Sequence, residues 1–285
     1  MLIIDTHAHI YSDDEKRYPP ISNPIRPPSK SGTLSALRSV TRANRVVRAC
    51  IVQPGTFYRW DNRYIVDSAK SAPEWTAGIC ALDPDDVGSY SLLKQYASKE
   101  GIRGLRSYPA ADGRLDHPGV RALWRACEEM NIVVCAMVHA DNADELGRML
   151  EKFKRLPVVI DHCLNLKAGP QEKTILAQML RLAKFPNANA KLSFLPTGSL
   201  EEFPFRDLHE ACHTIIEAYG PDRCVWGSNF PCELWTPKST YTQHLTLFTN
   251  ELGLDPAAKH AILGETANQL WFRAALQPAK KQAQM

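Results

Sequence analysis

The chain has 285 residues, a formal net charge of +3, 44% apolar and 23% charged residues, the make-up of an ordinary globular protein with enough length for a sizeable core. Lys and Arg are spread along the chain rather than gathered in a run, so neither a nucleic-acid nor a membrane surface is expected. No window approaches the roughly 18 uncharged apolar residues of a spanning helix, and "MLIIDTHAHI" lacks the basic leader of a secretory signal.

In chain order, the first strand candidate is "LIID" (2–5), which runs into "DTHAHI" (5–10). A proline- and charge-rich stretch without periodicity follows, "YSDDEKRYPPISNPIRPPSKSG" (11–32), and reads as a long loop that forms a lid or substrate wall. Then come strand candidates "VVRACIVQ" (46–53), "TAGICAL" (76–82) and "IRGLRSY" (102–108). The apolar spacing of "VRALWRACEEM" (120–130) is helical. From there strands and helices alternate: "NIVVCAMVH" (131–139), helix "ADELGRMLEKF" (143–153), "PVVIDH" (157–162), helix "KTILAQMLRLA" (173–183), "ANAKLSF" (188–194), helix "LHEACHTIIEAY" (208–219) and "RCVWGS" (223–228). A last helix, "PAAKHAILGETANQLWF" (256–272), precedes a tail over 274–285 that reads as flexible. Eight β-rich runs alternating with helices, with no GxGxxG after the first, predict a single-domain (β/α)8 barrel over 1–273 rather than an open doubly wound sheet.

The eight cysteines form no CxxC pair, and several lie in apolar runs. They read as reduced, buried side chains of a cytoplasmic protein.

Barrel active sites form at the C-terminal ends of the strands, and the histidines gather there. His7 and His9 share a face after strand one, by alternation, and Asp5 joins them if the strand continues. On its own HxH is a weak signal. His139 ends strand five, where a hydrogen-bonded core histidine is the alternative, His162 ends strand six, and Asn229 follows strand eight. Four of nine histidines at three strand ends, His7, His9, His139 and His162, point to one active-site pocket whose imidazoles are candidate metal ligands. Asp161, next to His162, is expected to face the other side of its strand. Tyr58, Trp60 and Asn62 follow strand two, where loop residues can shape the pocket.

With these residues in place, the sequence resembles the lactonase-like branch of the amidohydrolase superfamily. "DTHAHI" and "VVIDHCL" match its strand-one and strand-six motifs, "VQPGTFYRWDN" (52–62) and "GIRGLRSYP" (101–109) resemble its segments at strands two and four, and "AKLSF" its strand seven. The resemblance implies a distorted barrel and a hydrolase, metal-assisted or metal-free, acting on lactones or related carbonyl compounds. Where the branch carries an aspartate after strand eight, this chain has Asn229, an amide that cannot act as a base. His162 is then the first candidate base, Glu233 the second, with His139 and Asn229 as further catalytic candidates. Strand four has no lysine that could bridge two metals, so a single Zn2+ or Mn2+ ion is expected if metal binds; a metal-free mechanism stays open. Arg106 is expected to bind a substrate carboxylate, with Lys191 and Tyr58 as further substrate-binding candidates. The expected partner is a small molecule, and self-association stays open. A metal-dependent decarboxylase of an aromatic or unsaturated acid and a catalytically weakened binding protein are the alternative functions.

Overall fold

Parallel strands β1 (Ile4–Ala8), β2 (Arg48–Val52), β3 (Thr76–Cys80), β4 (Ile102–Ser107), β5 (Val133–Ala136), β6 (Val158–Ile160), β7 (Ala188–Lys191) and β8 (Cys224–Val225) lie side by side in chain order. They come from a computed structural model that describes residues 1–99 and 101–272. The expected tail over 274–285 lies outside the described residues. All eight expected strands are present, each overlapping its apolar run, with β1 displaced from 2–5 onto Ile4–Ala8. The sheet closes on itself, with Thr6 N donating to Trp226 O at 3.1 Å, His9 N to Phe230 O at 2.8 Å, and a parallel bridge between Ala8 and Phe230.

The crossovers are helical: α1 (Leu34–Ala43), α2 (Arg63–Ser71), α3 (Ser89–Lys99), α4 (Pro118–Met130), α5 (Ala143–Lys152), α6 (Glu172–Leu182) and α7 (His209–Tyr219). Their starts follow side-chain chemistry. Thr33 accepts from Ala36 N ahead of α1, and His117 accepts from Gly119 N with Pro118 in the first turn of α4. The last expected helix begins at Pro256, capped by Asp255, and runs through π-helical turns to Phe272.

Two apolar layers result. The larger lies between strands and helices. The smaller fills the barrel with Ile4, Cys50, Val52, Ala77, Ile79, Val133, Cys135, Val159 and Val225, and Trp271 packs against it. All eight cysteines are buried and free, as their apolar settings indicate. Among the described residues, no helix is long and apolar enough to cross a membrane.

Two local features aim the first strand at the barrel mouth. The β1–β2 register advances by three residues on β1 (Asp5 to Ala8) for two on β2 (Ala49 to Ile51), which is a bulge of one extra residue. The bulge breaks the alternation after Ile4, so His7 and His9 turn toward the barrel axis. Asp5 does not join them: its carboxylate accepts from Ser228 N, Ser228 Oγ and Tyr241 Oη, tying β1 to the segment after β8. Gly227 permits the approach, because a Cβ there would lie 2.6 Å from His7 Cβ.

The loop over 11–32 packs on the segment after β2. Tyr11 and Tyr18 join Phe57 and Tyr58 in a small buried cluster, and Ile21 N and Ile25 N donate to Phe57 O and Thr56 O. The loop thus backs the 54–60 wall of the cavity described below.

Candidate active site

A cavity of about 380 Å3 opens at the C-terminal mouth of the barrel, where His7, His9, Arg106, His162 and Asn229 meet beneath a rim of Arg59, Trp60, Tyr108 and Trp235. A wider surface groove between α5 and α6 involves none of these residues. The mouth cavity is the one that gathers the candidate site residues.

The histidines come from β1 and from the turn after β6. His7 Nε2 lies 3.2 Å from His9 Nε2, and His9 Nδ1 lies 2.8 Å from Val52 O, so His9 donates there and keeps its Nε2 lone pair. His162 packs edge-on against His7 with ring centroids 4.5 Å apart, and its Nδ1 lies 2.8 Å from Ser193 Oγ. Strand β6 ends at Ile160, and residues His162 to Asn165 then all take positive φ, from 49° to 60°. This left-handed turn costs energy for residues with a Cβ, and it swings His162 over the barrel.

Asp161 corrects the alternation argument. It continues the inward phase of Val159, is fully buried, and lies in the site; His162 reaches the same cavity only through the turn. Asp161 Oδ1 accepts from Lys191 Nζ at 2.6 Å and its Oδ2 from Arg106 Nε at 3.1 Å. Lys191 is also fully buried, with its Nζ 3.3 Å from His7 Nδ1. A charged layer of Lys191, Asp161 and Arg106 therefore underlies the histidines, with two cations against one anion.

This layer sets the protonation states. Burial, then Lys191, push His7 well below the ordinary imidazole value. Burial first and Arg106 next push His9 down to about 3. His162 is also pushed down to about 3, by burial with help from Arg106 and Lys191 and against the opposing pull of Asp161. Burial raises Asp161, but Lys191 and then Arg106 outweigh it and hold the carboxyl below the usual range. At neutral pH the site contains three uncharged imidazoles and a net positive layer.

Asn229 takes a left-handed conformation, φ 56°, that asparagine tolerates. Its Nδ2 donates to Ser193 O at 2.8 Å, while its buried Oδ1 has no partner among the described residues. The side chain thus presents an acceptor beside the histidines.

Four expected site residues lie elsewhere. His139 is exposed and outside the cavity lining, with its Nδ1 3.4 Å from Asn165 Nδ2; β5 ends at Ala136, and Met137 is its contribution to the pocket. Tyr58 is buried in the aromatic cluster and accepts from Ser12 N at 2.8 Å, so it anchors the 11–32 loop rather than a ligand. Lys191 lies below the cavity, against His7 and Asp161. Glu233 is exposed and does not line the cavity. Arg59, Tyr108 and Trp235 also line the cavity, beyond the residues expected from sequence. Arg59 is next to Trp60 in the "FYRWDN" segment, where a basic residue among aromatics is the visible sign.

The donor set fits one divalent ion held by imidazoles. Two nitrogens 3.2 Å apart match two ligands on a common ion with bonds of about 2.0–2.1 Å, and His162 abuts them. Ligand atoms of His7, Asp161 and His162 lie within 4.8 Å of one another, but both Asp161 oxygens already serve Lys191 and Arg106.

An amidohydrolase family model matches residues 4–273. The chain is 22% identical over 231 residues to a 4-sulfomuconolactone hydrolase of Rhizobium radiobacter, covering 80% of this chain and 75% of the relative. Its fold is similar to that of a probable 2-pyrone-4,6-dicarboxylic acid hydrolase from Acinetobacter baumannii with citric acid bound, at TM-score 0.80 and 21% identity over 95% of this chain and 99% of that one. It is also similar to an amidohydrolase from Burkholderia multivorans with bound zinc, at TM-score 0.76 and 20% identity over 95% and 99% of the two chains.

Proposed function

Because the chain belongs to the amidohydrolase family, we propose that it hydrolyses the ester bond of a small carboxylated lactone in the cavity at the barrel mouth. The observation that carries this reading is the convergence of three imidazoles, an acceptor amide and the Arg106 guanidinium in one cavity. Lactone hydrolases among its relatives support it.

Arg106 gives its Nε to Asp161 and has its Nη2 3.4 Å from Met137 Sδ, while the residue lines the cavity floor. The rest of its fork suits a substrate carboxylate. Burial is the main cause of the low His162 value, and a bound carboxylate would offset only the smaller part that Arg106 and Lys191 contribute, so raising the basicity of His162 in part. His162 then takes a proton from the attacking water, Asn229 Oδ1 accepts that water's other hydrogen, and the same imidazole returns its proton to the leaving alkoxide. The Trp60 indole N–H, buried and without a partner among the described residues, is placed to donate to a substrate oxygen. If an ion binds, His7, His9 and His162 would hold it, His162 then giving up the role of base, Zn2+ being the natural choice for imidazoles, and it would supply Lewis-acid polarisation of a carbonyl oxygen. The free, buried cysteines support a cytoplasmic setting.

The test is turnover of 4-sulfomuconolactone and 2-pyrone-4,6-dicarboxylate, followed by loss of ring absorbance and by proton release. Ring opening that disappears in Arg106→Ala supports the proposal. Release of CO2 from an unsaturated acid, with no lactone opened, would replace it with the decarboxylase reading. Tight binding of the acids without any product would leave a binding protein.

A further inference from the structure

The two histidines of the HxH pair are wired in opposite ways. A ligating imidazole ordinarily donates its far N–H to a carbonyl or carboxylate, which leaves a lone pair on the nitrogen that meets the metal. His9 has this arrangement, donating Nδ1–H to Val52 O at 2.8 Å. At the same position His7 meets a donor: Lys191 Nζ lies 3.3 Å from His7 Nδ1.

An ammonium has three donors and no acceptor. Among the described residues, the hydrogen-bond partners of Lys191 Nζ are Asp161 Oδ1 at 2.6 Å, His7 Nδ1 at 3.3 Å and Cys135 Sγ at 3.9 Å. Lys191 has no exposed surface, and Asp161 is held from its other side by Arg106 at 3.1 Å, so the ammonium is fixed in place. His7 Nδ1 must then accept. A neutral imidazole with an accepting Nδ1 carries its proton on Nε2, and that proton points at the His9 Nε2 lone pair 3.2 Å away. The His7 nitrogen that an ion would need carries hydrogen, and the His9 lone pair is already engaged.

We propose that Lys191 is a lock on the metal site: by donating to His7 Nδ1 it keeps the His7–His9 pair hydrogen-bonded to itself, and a divalent ion enters only when the Lys191–His7 bond is given up. Lys191 is a positioning residue in this role, since it does not line the cavity. The inference uses the imidazole geometry of the proposed active site but not its substrate, and its test does not read turnover.

The experiment is calorimetric titration of chelator-treated full-length protein with Zn2+, for wild type, Lys191→Met and Lys191→Met/His7→Ala. Lys191→Met is expected to bind one Zn2+ about 10–100-fold more tightly than wild type, the range over which such outer partners tune affinity. The added His7→Ala is expected to remove the gain. Equal affinity in wild type and Lys191→Met would overturn the proposal, as would a gain that survives His7→Ala. Nitrogen NMR of histidine-labelled, metal-free wild type needs no variant and decides the matter if Lys191→Met fails to fold. A His7 proton on Nε2 and a His9 proton on Nδ1 are expected; a His7 proton on Nδ1 would overturn the proposal.

Discussion

Lys191 and Asp161 form an ion pair of 2.6 Å in which neither side chain has any exposed surface. Arg106 shares the carboxylate at 3.1 Å, so one anion serves two buried cations. Removing one partner of a buried pair strands the other, at a cost of about 3–5 kcal/mol. Asp161→Asn strands both cations and should lose stability at the upper end of that range. Lys191→Met leaves Asp161 with Arg106 and should lose less. Urea unfolding of the two variants checks the order; equal losses, or a loss below about 1 kcal/mol for Asp161→Asn, would contradict this account.

The buried histidines predict an acid limit to stability. His9, His162 and His244 are each pushed down to about 3 by burial, and His7 is lowered as well. In the unfolded chain these imidazoles take up protons near pH ~6.5, while the folded protein resists until far lower pH. Their contribution is therefore complete above about pH 6.5 and is lost progressively as pH falls toward about 3. Urea midpoints should be level from about pH 7 to 8 and fall steeply below about pH 6. A midpoint unchanged down to about pH 4.5 would mean that these side chains are solvated.

His162 and His139 should separate in function. His162 lines the cavity in contact with His7, and His139 is exposed outside it. His162→Ala should lower kcat/KM by about 10²–10⁴-fold, the usual worth of a positioned acid–base group. His139→Ala, a surface change, should leave kcat/KM within about twofold. Steady-state kinetics on any lactone that is turned over makes the comparison, and a large loss in His139→Ala would place that histidine at the reaction.

The difference between those two histidines shows where sequence reasoning reached. Strand order, barrel closure and the arrival of His7, His9, His162 and Asn229 at one mouth were legible because apolar runs mark strands and a barrel brings their ends together. Beyond the last paired residue of each strand the period of two no longer applies. His139 lies three residues past the end of β5, and nothing in its neighbours fixes its direction. At β6 the alternation holds, but its inward phase falls on Asp161 and not on His162. Asp161 is inward with Val159, and His162 enters through a left-handed turn that no glycine announces. Asp5 was lost for a related reason, since the β1 bulge shows only in the pairing register. Lys191 reads in sequence as a substrate-binding candidate at the end of a short strand; its ion pair depends on a partner 30 positions away.

Arg106 and Arg59 offer the last separation. Both line the cavity, but Arg106 is 6% exposed at its floor and Arg59 is exposed at its rim. A buried fork already oriented by Asp161 can hold a carboxylate through paired hydrogen bonds, and a lysine cannot reproduce that geometry. A charged hydrogen bond of this kind is worth about 1.5–3 kcal/mol, so Arg106→Lys should raise KM about 10–100-fold. Arg59 acts through solvent and should matter less, with Arg59→Ala raising KM about two- to fivefold. Salt distinguishes the two mechanisms: raising it from about 50 to about 500 mM screens charges at the rim but not those in the floor. The Arg59→Ala effect should shrink toward nothing at high salt, while the Arg106→Lys effect persists. KM measured at both ionic strengths decides; an Arg106→Lys effect that vanished with salt would mean that the substrate carboxylate never reaches the cavity floor.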